Sequence, residues 1–195
     1  FEIFNSLFCF EDGGLLARHR KVYLPTYGLF EEERYFSSGE RIRAFDSKWG
    51  RMGMLICEDI WHPTSGLILA HDGASFIVVC AAGVSRGLDP GEKPINVSTW
   101  ETINHAVAIT STSYLLFVNR VGVEDGLIFF GGSDLISPDG RSLQKLPYFE
   151  QMIRHAEIDL MKLKHSRINT TLLSDEKLHV LIEEFSRLRS KRISY

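Results

Sequence analysis

Apolar residues along this chain fall into short runs separated by turn-forming clusters, and only near the end do they settle into a helical repeat. Glu2 to Phe10 and Leu15 to Leu24 are strand-like runs separated by Glu11-Asp12-Gly13-Gly14. The glycines of that turn supply positive φ, so the segment predicts a β-hairpin. Pro25 ends the second strand, Tyr27 to Phe36 is an acidic, aromatic loop, and Arg41 to Phe45 reads as a short strand. Arg51 to Cys57 is apolar on both faces, as a strand in the middle of a sheet requires. Pro63 opens a helix in which Leu67, Ile68 and His71 recur at helical spacing until Asp72-Gly73 stops it, and Ser75 to Ala82 is a second buried strand. Arg51 to Ala82 therefore reads as strand, helix, strand.

Beyond a Gly- and Pro-rich loop, Gly83 to Pro94, Ser98 and Glu101 fit a capping box ahead of a helix carrying Trp100, Ile103 and Val107. Leu115 to Asn119 is the next strand, and turns at Glu124-Asp125-Gly126 and Pro138-Asp139-Gly140 bracket further short ones. Leu178, Leu181, Ile182, Phe185 and Leu188 trace one face of a terminal helix starting near Ser174 or Asp175. No repeat or low-complexity segment interrupts this order, and periodicity alone predicts an α/β chain.

Composition narrows the function classes. A 44% hydrophobic and 24% charged chain of 195 residues is ordinary globular protein with room for one substantial core. No apolar run approaches the roughly 20 residues of a membrane span. A formal charge of −3 gives no reason to expect nucleic acid. The one basic cluster, Arg187 to Arg192, sits at the end of the terminal helix, where cations complement the helix dipole. Three cysteines, Cys9, Cys57 and Cys80, make no disulfide framework and place the protein in a reducing compartment, the cytoplasm. Phe1 to Phe10 lack the features of a secretory signal, and the chain opens directly in a strand, which implies an upstream segment.

The candidate chemistry centres on Cys57. A cysteine at the end of a buried strand and just before a helix stands on a sharp turn, where the helix amino terminus favours a thiolate. Taken alone, that context leaves a reactive thiol and a core-filling one equally open. Cys9 and Cys80 lie inside strands, where cysteine behaves as a small hydrophobe. Pairing Cys57 with His62 or His71 as metal ligands matches no common zinc spacing, so no metal is expected. His19, His105, His155, His165 and His179 are scattered singly and read as surface or interface residues.

Gly53-Met54-Leu55-Ile56-Cys57-Glu58-Asp59-Ile60-Trp61-His62-Pro63 resembles the nucleophile motif of the nitrilase, or carbon-nitrogen hydrolase, superfamily. His19-Arg20-Lys21-Val22-Tyr23-Leu24-Pro25 is similar to the segment bearing that family's catalytic lysine, which maps onto Lys21. Phe30-Glu31-Glu32-Glu33-Arg34-Tyr35-Phe36 resembles the segment of its second active-site glutamate, best matched by Glu32. The resemblance continues through Asn119-Arg120-Val121-Gly122 and Ser137-Pro138-Asp139-Gly140 to Ala156-Glu157-Ile158-Asp159, after which the chain looks like a variable tail.

This resemblance implies one domain over residues 1–195, with a tail at 189–195, built as two facing mixed β-sheets flanked by helices: a four-layer α-β-β-α sandwich that lacks its amino-terminal strands. It implies a homodimer or larger homo-oligomer and no cofactor. The implied reaction is cleavage of a small linear amide or carbamoyl compound, releasing ammonia through a thioester on Cys57. Lys21 would stabilise the oxyanion and Glu32 would orient it, while Glu58, Trp61 and Tyr27 are the candidate substrate-binding residues. The family's primary general base, a glutamate in an upstream segment, has no match at Glu2 or Glu11, so the isolated chain is expected to be inactive. Cys57 is followed by Glu58-Asp59-Ile60-Trp61 rather than the Trp-Glu-Asn of nitrilases proper, and the pattern resembles most the glutaminase domain of glutamine-dependent NAD synthetases. With no synthetase domain after Tyr195, a free-standing amidase or a glutaminase-like partner subunit is expected. Acyl transfer through the same cysteine and a non-catalytic scaffold of the same fold are the alternatives.

Overall fold

A computed structural model describes residues 1–86 and 94–191. Strands β1 (Ser6–Glu11) and β2 (Gly14–Arg20) form the expected antiparallel hairpin. Its turn is carried by Asp12 and Gly13, both at positive φ (48° and 81°), the two-residue geometry that matches the natural strand twist.

The body of the fold is a six-stranded mixed sheet. In chain order its strands are β3 (Phe45–Ser47), β4 (Gly50–Ile56), β5 (Phe76–Ala81), β6 (Tyr114–Asn119), β9 (Asp134–Ile136) and β10 (Ser142–Lys145). They lie side by side as β10-β9-β6-β5-β4-β3. The central three run parallel, joined by crossovers through α1 (Pro63–His71) and α2 (Ile95–Ser111), and the outer strands pair antiparallel. A second hairpin, β7 (Val121–Glu124) and β8 (Leu127–Phe130), follows β6.

Helices α1 and α2 cover one face of this sheet. Leu55, Ile77, Val79, Leu115 and Phe117 point from the strands into a buried cluster with Leu69, Val97, Trp100 and Val107. Gly53 is what lets α1 sit this close, because a Cβ there would lie 2.6 Å from Leu69 Cδ1. The opposite face carries Met52, Phe76, Val78 and Leu116 along a shallow apolar groove.

Several boundaries depart from expectation. The helix after the glycine-rich loop begins at Ile95 behind Pro94, so Ser98 is an interior helical residue, and the capping box with Glu101 does not form. Proline's fixed φ starts the helix earlier than the side-chain signal indicated. The edge strand is Phe45–Ser47 rather than Arg41 to Phe45, since Phe45, Asp46 and Ser47 are the residues that find partners on β4.

The stretch beyond Asp159 is not a loose tail. Asp159 accepts a hydrogen bond from Met161 N (2.8 Å) and caps α3 (Leu160–Asn169), whose Leu163 is buried. Arg167 of α3 donates to the carbonyls of Ala74 (2.5 Å) and Thr112 (3.2 Å). A short helix, α4 (Leu172–Asp175), then precedes α5 (Leu178–Ser190), so the terminal helix starts after Ser174 and runs into the expected tail. Within the basic cluster Arg187 bonds Glu184, while Arg192 and the rest of residues 192–195 lie outside the described residues. Among the described residues no helix is long and apolar enough to cross a membrane.

Candidate active site

The registers Ile56 to Cys80 and Cys80 to Val118 bring the carboxyl ends of β4, β5 and β6 to one edge of the sheet. Residues that follow those strands gather there, the usual place for chemistry in an open parallel sheet. Cys57 is the first residue past β4. Its φ of +47° is a left-handed conformation that a side-chain-bearing residue rarely adopts, and the chain passes straight into a 3-10 turn, Cys57–Trp61. Strained elbows of this kind hold a nucleophile at the lip of a sheet.

Lys21 emerges where β2 ends and is almost wholly buried, at 1% exposure. Its Nζ lies 2.6 Å from both carboxylate oxygens of Glu32, in the 3-10 turn Glu32–Arg34. A buried ammonium requires such a partner, because desolvation without one costs several kcal/mol. Glu31 instead bonds exposed Arg34, so of the three consecutive glutamates it is Glu32 that turns inward to Lys21.

Burial pushes the Cys57 thiol above its ordinary pKa. The Lys21 charge and a backbone hydrogen bond at Ala82 pull it down, and the Glu32 and Glu58 carboxylates push it up. Burial dominates, so the amino terminus of a single 3-10 turn does not make the resting sulfur a thiolate, as strand-to-helix context alone had implied. The proton has to leave as the sulfur attacks.

Beside Cys57 opens a cleft whose walls include Tyr27, Glu58, Trp61, Arg86 and Trp100. The hydroxyl of Tyr27 donates to Glu58 Oε2 (2.9 Å). Burial and this carboxylate push the phenol up to about 12. Trp61 packs edge-to-face on Trp100 at 5.1 Å between centroids, which makes it both wall and core. All six candidate side chains thus converge: Tyr27, Cys57, Glu58 and Trp61 line the cleft, and Lys21 with Glu32 acts on its sulfur.

Other contributors were not singled out from the sequence. Arg86 places its guanidinium 5.8 Å from the Tyr27 ring centre and 5.7 Å from that of Phe30. Asn96 ties down Val84 and Arg86, accepting from Arg86 N (2.9 Å) and donating to Val84 O (2.6 Å). Asn119, at the end of β6, accepts from Gly83 N and donates to Gly131 O, both at 2.8 Å. Residues 87–93 of the Gly- and Pro-rich loop lie outside the described residues.

Asp59 is fully buried and bonded to His19, which corrects the reading of His19 as a surface residue. A pair of carboxylates, Glu58 and Asp59, set in the otherwise apolar run Met54 to Trp61 was the available signal, since a buried acid must be met by donors. Among the described residues, no three His, Cys, Asp or Glu side chains cluster to hold a metal ion.

Comparison with known proteins identifies the family. A family model described as carbon-nitrogen hydrolase matches residues 2–167. The glutamine-dependent NAD(+) synthetase of Acinetobacter baylyi is 30% identical over 166 residues, covering 85% of this chain and 29% of that protein. The crystal structure of a carbon-nitrogen hydrolase from Helicobacter pylori G27 superposes with a TM-score of 0.84 at 30% identity, over 90% of this chain and 64% of that one. A variant of the amidase from Nesterenkonia sp. AN1, its active-site cysteine carrying the acetamide moiety of fluoroacetamide, superposes with a TM-score of 0.58 at 29% identity, over 69% of this chain and 47% of that one. The chain spans under a third of the length of the NAD synthetase it matches. Motif order, sheet topology and the family match together make this α/β chain a member of the carbon-nitrogen hydrolase family.

Proposed function

We propose that the protein hydrolyses the carbon–nitrogen bond of a small linear amide or carbamoyl compound through a thioester on Cys57. The observation that carries this reading is the left-handed Cys57 at the strand end, acted on by a buried Lys21 that is held by Glu32. The Cys57 sulfur forms a bond to the carbonyl carbon, and the oxygen gains negative charge beside Lys21. A proton passes to the nitrogen, the C–N bond breaks and ammonia leaves. Water then adds to the thioester, the S–C bond breaks, and the acid departs with the thiol restored.

Glu32 orients Lys21 and keeps its charge inside the fold. The cleft presents the Glu58 carboxylate and the Arg86 guanidinium to the parts of the substrate away from the scissile bond, and Tyr27 and Trp61 supply its aromatic wall. Both carboxylates that act on the sulfur are engaged, Glu32 by Lys21 and Glu58 by Tyr27. The proton shuttle is therefore assigned to the further glutamate that the family resemblance sets ahead of residue 1. On this reading residues 1–195 alone release no ammonia, whereas the full-length gene product does.

The decisive assay measures ammonia release by the full-length protein across a panel of primary amides, with mass spectrometry for the acyl adduct on Cys57. Absence of both, in folded protein, overturns the hydrolase reading. Self-association is part of the same proposal: α5 exposes Leu178, Ile182 and Phe185 on one face, and Phe185→Glu is expected to shift the sedimentation of an oligomer toward monomer.

A further inference from the structure

We propose that Asp59 is a positioning residue: its carboxylate ties the Lys21 segment to the Cys57 elbow and so sets the relation between the cation and the sulfur. This inference rests on the reading of Cys57 and Lys21 given above.

The geometry is unusually complete for one side chain. Oδ1 of Asp59 accepts from Val22 N (2.9 Å) and Tyr23 N (3.0 Å). Oδ2 accepts from Ile56 N (2.9 Å) and stands 2.8 Å from His19 Nε2. A carboxylate can only accept, so His19 is held as the Nε2–H form. Three of these four partners flank Lys21 on the chain and the fourth precedes Cys57. The backbone of Lys21 itself is engaged elsewhere, its N–H with Asn5 O (2.9 Å) and its carbonyl with Gly39 N (2.7 Å).

β2 ends at Arg20, and Val22 and Tyr23 lie beyond its ladder with β1. Asp59 supplies the acceptor that the missing strand pairing would have supplied. A buried carboxylate with four donors is costly to disturb, because each donor left facing nothing loses its full desolvation. Asp59 thus fixes two segments 36 residues apart in the chain, and what those segments carry is the nucleophile and its cation.

Asp59→Asn tests this with little change of shape. Whichever way the amide is turned, its NH2 faces either Ile56 N–H or the pair Val22 and Tyr23 N–H, donor against donor. The readout is the pH profile of Cys57 alkylation by iodoacetamide in the full-length protein, followed by peptide mapping. The groups whose charge acts on this sulfur are Lys21, which lowers its pKa, and Glu32 and Glu58, which raise it.

If Asp59 positions Lys21, the Asn variant moves the profile upward by about one pH unit, and acylation slows by roughly ten- to a hundredfold. Loss of the Asp59 charge alone acts in the opposite direction, since removing a nearby anion lowers a thiol pKa. In a Lys21→Met background the upward shift disappears.

Should Asp59→Asn fail to fold, His19→Ala removes one of the four bonds and gives a smaller upward shift, which His19→Gln reverses. An unmoved or lowered profile in folded Asp59→Asn, or a shift that persists undiminished without Lys21, overturns the proposal. So does an unmoved His19→Ala where only that variant folds. Alkylation needs no substrate, so a shift in protein that releases no ammonia would refute the hydrolase reading and not this one.

Discussion

Cys80 pairs across the sheet with Ile56, the last residue of the neighbouring parallel strand, so Cys57 stands one residue beyond the level of Cys80. Both thiols are pushed above their ordinary pKa by burial. For Cys80 burial is the whole account: it sits inside a regular strand with no charged group acting on it. Cys57 stands one position past the end of its strand, at positive φ, under the opposed influence of the Lys21 cation and the Glu32 and Glu58 carboxylates. The same side chain becomes filler or candidate nucleophile according to a single step along the backbone. Burial is common to the two sites, whereas the left-handed turn and the guided cation occur only at the second.

The comparison breaks most sharply on deletion of each sulfur. Cys57→Ala is expected to lower amide turnover by at least about 10⁴-fold, the order seen when a covalent nucleophile is removed. Cys80→Ala leaves turnover of the full-length protein within about twofold, since Cys80 is not among the described residues that line the cleft. Parallel ammonia assays on the two variants measure both, and equal losses would erase the distinction.

Next in size is the cation. Lys21→Met is expected to reduce kcat by about 10²- to 10³-fold with a small change in KM, the signature of a group that acts on charge developing in the transition state. A comparable rise in KM with kcat unchanged would make Lys21 a substrate-binding residue instead.

How far the chain discloses this arrangement depends on the range of the interaction. The parallel strands and α1 were legible because Arg51 to Ala82 carries its pattern locally, with two apolar runs and a Pro63 start. Cys57, Lys21 and Glu32 were legible as motifs, and their meeting was expected only through the family resemblance, since hairpin β1-β2 and strand β4 join only in three dimensions. The Asp59 hub escaped notice for the same reason: its four donors are contributed by His19, Val22, Tyr23 and Ile56, three of them from a distant segment. Helix α3 was missed because its stability lies in long-range anchors, Leu163 in the core and Arg167 on the Ala74 and Thr112 carbonyls, rather than in a strong apolar stripe. The capping-box expectation at Ser98 failed to a neighbouring proline, a local signal that outranked another.

A gentler probe separates the two thiols through charge alone. Glu58 raises the Cys57 pKa and does not act on Cys80, so Glu58→Gln lowers the Cys57 profile only. At pH 8 its alkylation should quicken by about two- to threefold while that of Cys80 is unchanged. The same change removes the charged acceptor of Tyr27, whose phenol falls from about 12 toward its ordinary value, read in the ultraviolet titration at alkaline pH. Movement of both cysteine profiles would mean that the variant had loosened the sheet edge as a whole.

The smallest effect concerns stability and tests Cys80 as filler. A thiol whose folded pKa lies above its unfolded one favours the folded state while both forms are protonated, and that contribution is lost as pH rises through the folded pKa. The folded protein should therefore lose stability above pH about 9, where unfolded thiols ionise freely and buried ones resist. Cys80→Ala removes one of the groups responsible, which also include Cys57 and the raised phenol of Tyr27, so its denaturant midpoint should fall less steeply with pH above that point, even if the variant begins slightly less stable at pH 7. Because burial alone raises the Cys80 pKa, replacing Lys21 by Met leaves this part of the curve where it was. A slope in Cys80→Ala identical to that of the parent protein would show that the strand thiol is better solvated than its position between β4 and β6 implies.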